Sequence, residues 1–360
     1  MPPPSSLTLQ YDALLSSTLF NAQTEWEDNI STSNAFFYIL FRHEEDGYEG
    51  EANLGERVQI QLMYQLGSPD SHSGYDTMVS APMDGATSAF WDWRQFNTSV
   101  QISRIEERKN SGEFAIVKLL KGKVKQAQLG SYEFFSKAFL QGQGMNDPAT
   151  AGQIETPRVS PSNGSLFIDP LPLLVKKDPT TSTLVGNINQ STSTWWRNQT
   201  ADFTGLATFT AQLKRLRKLN NDCSKGPGGM PNVHLVDQNV YEWYETALAA
   251  QNRYIGTKRA DIPFDNIDFR GHPVVWDEFV PNASDRVVAL VTTKGTWYML
   301  NTKFWKIKYD EETNFMNTPF ERPTNQDAKT SHILWYGASC VSNRRKNGVG
   351  WSIDTTVVAA

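Results

Sequence analysis

Two hydrophobic periods alternate along this chain and divide it into segments. FFYILFR (Phe36–Arg42) is a short apolar run suited to a buried strand. After the three-glycine segment Asp46–Glu56, RVQIQLMY (Arg57–Tyr64) sets Val58, Ile60, Leu62 and Tyr64 against more polar or smaller partners. That is the period-two pattern of a half-buried strand. A turn-rich excursion over Gly67–Gly85 follows, and the chain returns through AFWDWRQFNTSVQISRI, with Trp91, Trp93, Val100 and Ile102 at alternating positions in two short stretches. Two strands and a long tip predict an extended β-hairpin. A two-stranded hairpin is barely stable alone in water, so this one predicts a further surface to lie on.

The period then changes. Asn110 opens NSGE, an N-cap with Glu at N3. From Val117, apolar or small residues recur at Leu120, Val124, Ala127, Ser131, Phe135 and Ala138. The spacing predicts a helix over Ser111–Leu140, about 45 Å long at 1.5 Å per residue, with Gly122 and Gly130 favouring a bend. Gln141–Ser165 reads as a loop and a domain boundary. Beyond it the pattern is mixed. Helices are expected over Thr204–Leu219 and Asn239–Gln251, and strands at His234–Val236, Pro273–Trp276, Val287–Val291 and within Thr296–Asp310. A further helix is expected over Asn325–Ala338, followed by strands through Cys340 and Trp351. The opening 30 residues, rich in Pro, Ser, Thr and Asn, read as an extended arm.

Composition narrows the class. A chain of 360 residues with 39% hydrophobic, 12% aromatic and 20% charged residues is globular. Its apolar runs are too short for a membrane span. The start, MPPPSSLTLQ, lacks the basic and apolar regions of a secretory leader, so none is expected. Cys223 and Cys340 lie far apart, which suits buried, inert thiols. Charge is unevenly placed: residues 1–108 hold 16 acidic residues, five Arg and no Lys, whereas the remainder is net basic. Such polarity suits copies that pack against one another, because complementary fields steer and register association.

Catalytic and metal chemistry finds little support. The five histidines are scattered without HExxH, and neither GxSxG nor GxGxxG occurs. SKGPGGMP (Ser224–Pro231) lacks the ending of a phosphate-binding loop and reads as a flexible loop. The neighbours Asp277–Glu278 and Glu106–Glu107 read as solvated edges rather than an acid–base pair, since adjacent strand residues face opposite sides. Six N-x-S/T sequons, including those at Asn189 and Asn198, are a by-product of composition. No cofactor and no metal are expected. Two clusters are candidates for contact. Trp195, Trp196 and Arg197 have the composition of an interface hot spot, or else of core. Lys118, Lys121 and Lys125 form a basic stripe on the long helix, facing either nucleic-acid phosphates or solvent.

Taken in order, several segments resemble the major capsid proteins of tailed bacteriophages, the fold named for phage Hong Kong 97. They are GYDT (Gly74–Thr77), FWDWRQF (Phe90–Phe96), ISRIEERKNSGEFAIVKLLKGKVKQAQ (Ile102–Gln128), VGNINQSTSTWWRNQ (Val185–Gln199), GHPVVWDE (Gly271–Glu278), YMLNTKFWKI (Tyr298–Ile307) and RPTNQDA…SCVSNRR (Arg322–Arg345). The resemblance covers nearly the whole chain. It implies an α+β fold with an N-terminal arm over 1–33, entry to a peripheral domain over 34–46 and an extended β-hairpin loop over 47–105. The peripheral domain with its long spine helix would span 106–160, an axial domain 161–302, and closing peripheral strands and a helix 303–360.

The implied function is self-assembly into hexamers and pentamers of an icosahedral shell around double-stranded DNA, in a virion made in the bacterial host cytoplasm. Implied partners are further copies of the chain, a separate scaffolding protein, portal and decoration proteins, and no membrane. Some members of that family seal their shells with an isopeptide bond from an extended-loop lysine, which residues 1–108 cannot supply. The expected subunit contacts are acidic Glu44, Glu45, Asp46, Glu49, Glu51, Asp76 and Asp84, with Tyr75, Trp91, Trp93, Arg94, Trp195, Trp196 and Arg197. Their basic counterparts would be Arg344, Arg345 and Lys346, with Lys214, Arg215, Arg217 and Lys218. Alternatives of other classes are a virion decoration or tail protein, and an aromatic-rich carbohydrate-binding protein or glycosidase.

Overall fold

The computed structural model describes residues 47–51, 55–65, 67, 69, 71–76, 84–109, 113–142, 168–249, 267–281 and 293–357. The arm, the Phe36–Arg42 strand, the Asn110 capping box, the Val287–Val291 strand and most of the Gln141–Ser165 loop lie outside the described residues. So do Glu44, Glu45 and Asp46, and the side chains of Lys118 and Lys121.

The first strands are β1 (Tyr48–Glu51), β2 (Val58–Met63), β3 (Ala86–Trp91) and β4 (Arg94–Ser103), followed by helices α1 (Arg104–Lys109) and α2 (Glu113–Gln141). The short helix α3 (Leu171–Leu174) leads to a small hairpin, β5 (Leu184–Val185) and β6 (Ile188–Asn189). Then come β7 (Gln199–Asp202), α4 (Phe209–Ser224), β8 (Val233–Val236), α5 (Gln238–Ala249), β9 (Ile267–Phe269) and β10 (His272–Trp276). The chain closes through β11 (Lys294–Leu300), β12 (Trp305–Asp310), β13 (Met316–Asn317), β14 (Ala328–Val341) and β15 (Gly348–Asp354).

Two sheets organise these elements. In the five-stranded sheet, β14 pairs with β12, β13 and β4, and β1 joins β12 in parallel. The six-stranded sheet runs β7-β15-β11-β8-β10-β9. Alternate residues of its strands face opposite layers, as the pleat requires. Leu235, Tyr298, Leu300 and Val349 join α2 residues Val124, Phe135, Ala138 and Phe139 and the five-stranded sheet's Trp305, Ile307, Ile333 and Trp335 in one core. Val236, Trp297, Met299 and Ile353 face the other way, into a core closed by Leu216 and Leu219 of α4 and Val240 and Tyr244 of α5.

The long helix matches its pattern closely: Val124, Ser131, Phe135 and Ala138 are all buried. Two expectations are corrected. Asn325–Ala338 is not helical, because Ala328–Val341 forms the central strand β14, paired over ten positions with β4. Its Ile-Leu-Trp-Tyr run carries no period, and the partner that fixes it as a strand lies far away in sequence. The return strand of the hairpin is broken at Asp92–Trp93, where β3 leaves β2 and the chain joins β14 as β4. Segment 303–360 contributes to both sheets. A short 3₁₀ turn, Arg344–Lys346, carries it from β14 into β15 of the six-stranded sheet.

Candidate assembly surface

The extended hairpin lies on a platform supplied by its own chain. Val58, Leu62, Ala89 and Trp91 pack with Trp196, Ala338 and Cys340, flanked by Ile60, Trp93, Ile188 and Trp195. Trp91 and Trp196 meet at 6.4 Å between ring centroids, and Tyr64 stacks on Trp195 at 5.0 Å. The β5–β6 turn presses against the hairpin, with Phe90 N donating to Gly186 O at 3.1 Å. Gly186 and Asn187 both have positive φ, 60° and 64°, the signature of a tight primed hairpin turn. A Cβ on Gly186 would come within 2.8 Å of the Trp91 ring, so only glycine fits there. Trp91 and Trp196 are therefore core residues of the subunit. Burying rings of this size contributes about 4 kcal/mol each at about 25 cal/mol per Å².

Arg344 and Lys346 are corrected more sharply. Neither is exposed, so neither can receive a neighbour's acidic loop. Arg344 is fully buried. Its Nε donates to Leu174 O at 2.8 Å, Nη1 to Gln190 Oε1 and Trp196 O, and Nη2 to Asn198 Oδ1. Asn198 in turn donates Nδ2 to Lys176 O at 2.7 Å, and Arg197 donates to the carbonyls of Gln190 and Ser191. The guanidinium thus ties the junction of the two sheets to the Trp195–Trp196 platform. Lys346 Nζ reaches the carbonyls of Ser224, Lys225, Gly226 and Gly229, at 3.4, 3.1, 2.9 and 3.4 Å. Burial, with the adjacent Arg345 charge, lowers its pKa. The glycine-rich segment expected to be flexible is instead wrapped around a cation. Gly228, with φ of 112°, is packed so closely that a Cβ would strike the Phe304 ring.

Other expected contacts divide between intrachain pairs and free surface. Lys306 pairs with Glu49 at 3.3 Å, and Lys308 pairs with Glu51, along the parallel β1–β12 edge. Burial opposes the Lys308 charge, yet its hydrogen bond and attraction to Glu51 hold its pKa above the usual lysine range. Arg94 pairs with Asp92, and Trp93 donates Nε1 to Gly55 O. At the loop tip Tyr75 is entirely exposed, while Asp76 and Asp84 lie at the surface with no ion pair among the described residues. Arg345 and Lys125 are exposed as well.

Four cations, Lys214, Arg215, Arg217 and Lys218, share the outer face of α4, while Leu216 between them is buried. Like charges three or four residues apart on a helix repel by about 0.2–0.5 kcal/mol per pair. Next to α4, the outer face of α5 carries Glu242 and Glu245. The acidic face is legible in the i, i+3 spacing of Glu242 and Glu245, though neither is among the contacts expected from sequence.

Buried chemistry elsewhere is structural. Asp237 sits at the start of α5 and accepts from Thr296 N at 2.9 Å, and burial pushes its carboxyl up to about 7. His234 accepts from Trp297 Nε1, and burial followed by the nearby His272 pushes it down to about 3. Cys223 and Cys340 are buried, and desolvation raises both thiols to about 12, as inert thiols require. Among the described residues no group of three metal-ligating side chains occurs, and no helix is long and apolar enough to cross a membrane.

Comparison with solved structures defines the fold. The capsid of cyanophage A-1(L) aligns over 85% of this chain and 90% of its own, with 13% identity and a TM-score of 0.61. The capsid of an empty GTA particle aligns over 87% and 88%, with 11% identity and a TM-score of 0.49. The satellite phage P4 procapsid aligns over 95% and 99%, with 11% identity and a TM-score of 0.47. No family model matches the sequence, and no curated protein does. The fold that emerges is α+β, of the Hong Kong 97 type. Within that class its likeness is to phage capsid subunits, at the level of fold.

Proposed function

We propose that this chain is a major capsid protein, with assembly rather than catalysis as its work. In this reading it forms the hexamers and pentamers of an icosahedral shell that encloses the double-stranded DNA of a tailed phage. The observation that carries this is the near full-length match of both chains to a cyanophage capsid subunit. Sequence order supports it, since the resembling segments run from the loop tip at Gly74 to Arg345. The subunit would be made in the host cytoplasm and end in the virion, with scaffolding, portal and decoration proteins as partners.

The exposed loop tip, with Tyr75, Asp76 and Asp84, is the part left to reach a neighbour, and Arg345 is a basic residue left to receive it. Lys125 would face the DNA backbone without reading sequence. Because residues 1–108 contain no lysine, noncovalent contacts or accessory proteins must hold the shell on the loop side. Negative-stain micrographs of the expressed chain, alone and with proteins encoded beside it, test the reading. Uniform shells or capsomers support it. A clean monomer with measurable glycan affinity would replace it with the carbohydrate-binding alternative.

A further inference from the structure

We propose that α4 of one copy docks on α5 of the next, making a head-to-tail contact that closes a ring. The proposal rests on the shell reading and names the surface by which neighbours within one ring recognise each other.

The two helices cover the same face of the six-stranded sheet, and Phe209 of α4 meets Trp243 of α5 at 5.1 Å between ring centroids. They sit over different parts of it, α4 on β7 and β15 and α5 on β11 and β10. Their outer faces carry opposite charge. Lys214, Arg215, Arg217 and Lys218 are exposed on α4, and Glu242 and Glu245 on α5. Arg270, which donates to Asn221 at the end of α4, extends the basic side. The nearby acids are occupied locally: Asp222 pairs with Lys225, while Asp202 and Asp354 accept from backbone amides. No ion pair joins the α4 cations to Glu242 or Glu245 among the described residues, and the Glu242 carboxylate accepts from Gln238 of its own helix.

A chain that places a basic stripe and an acidic stripe side by side, without joining them, is complementary to a rotated copy of itself. Because α4 lies at the β7–β15 end of the sheet and α5 over β11 and β10, the two stripes can face different neighbours, and such a heterologous contact closes into a ring when the rotation allows. Nucleic acid would satisfy the basic stripe alone and leave the acidic one without a role, so a second copy is the better occupant.

The test exploits the directionality. One variant reverses α4 (Lys214→Glu, Arg215→Glu, Arg217→Glu, Lys218→Glu), and another reverses α5 (Glu242→Lys, Glu245→Lys). All six positions are exposed, and circular dichroism checks that each variant folds. Assembly is followed by light scattering and electron microscopy beside the unmodified chain. Each variant alone should need on the order of 100-fold more protein to assemble, because like charges then face each other, and added salt should narrow the gap. Mixed in equal amounts, the two should assemble again. Strict alternation closes six-membered rings and forbids five-membered ones, so the mixture should yield tubes or sheets of hexamers rather than closed shells.

Normal assembly of either variant alone, or no recovery on mixing, overturns the α4–α5 contact while the unmodified chain's shells keep the capsid reading. Shells of normal number that have lost only their nucleic acid reassign α4 to DNA. Recovery with Asp76→Lys and Asp84→Lys in place of the α5 reversal reassigns it to the loop. Failure of the unmodified chain to assemble in any condition removes both readings.

Discussion

KRLRK at Lys214–Lys218 and RRK at Arg344–Lys346 are both short basic runs, yet the first keeps four cations in solvent while the second sends two of its three into the core. Local geometry accounts for part of the difference. On α4 the helical period turns Leu216 inward and its charged neighbours outward. In the tight turn before β15, Arg344 points into the junction of two sheets, Lys346 into the 224–229 loop, and Arg345 outward. The rest is decided by acceptors from distant segments. Leu174, Gln190, Trp196 and Asn198 receive the guanidinium, and the 224–229 loop receives the ammonium. A buried cation persists only where such acceptors are preassembled. The lesson is that a basic run reports a binding surface only once its acceptors inside the fold have been excluded.

The contrast can be broken by substitution. Arg344→Ala should cost about 3–5 kcal/mol in denaturant unfolding, since it strands buried carbonyl and amide oxygens. Arg344→Lys should recover less than half of that, because an ammonium cannot reproduce the planar fork. Lys346→Met should cost about 2 kcal/mol for the carbonyl cradle left without a donor. Lys308→Met should cost about 1 kcal/mol or less, as a partly exposed pair on a sheet edge. Lys214→Gln with Arg217→Gln should move stability by no more than about 0.5 kcal/mol while weakening assembly. A large stability loss in that last pair, or none in the first, would erase the distinction between the two runs.

Local pattern carried some elements and not others. The α2 periodicity places Val124, Ser131, Phe135 and Ala138 inward, alternation locates β2, and short apolar runs locate β8 and β10, each within a residue or two. The helix expected from Thr204 begins at Phe209, because Gly205 takes positive φ and Thr208 caps the first turn. The local sequence of β14 predicts helix because its identity as a strand depends on β4, more than 200 residues earlier. The hairpin's need for a surface follows from its two-stranded pattern, but that surface, Trp196 and the Gly186 turn, belongs to the same chain. Hydrophobic period states that a face is buried and leaves open against what. For the contact residues the same limit applies: Glu49 and Glu51 carry the right charge for a partner, and the partners they find are Lys306 and Lys308.

The central claim is that this subunit builds a closed shell. Charge-detection mass spectrometry of nuclease-treated particles from the expressed chain tests it most directly. The account predicts one narrow high-mass species whose mass is a large whole-number multiple of the 40.6 kDa chain, apart from any accessory subunits. A population of monomers, or a continuous spread of aggregate masses under every assembly condition, would contradict it.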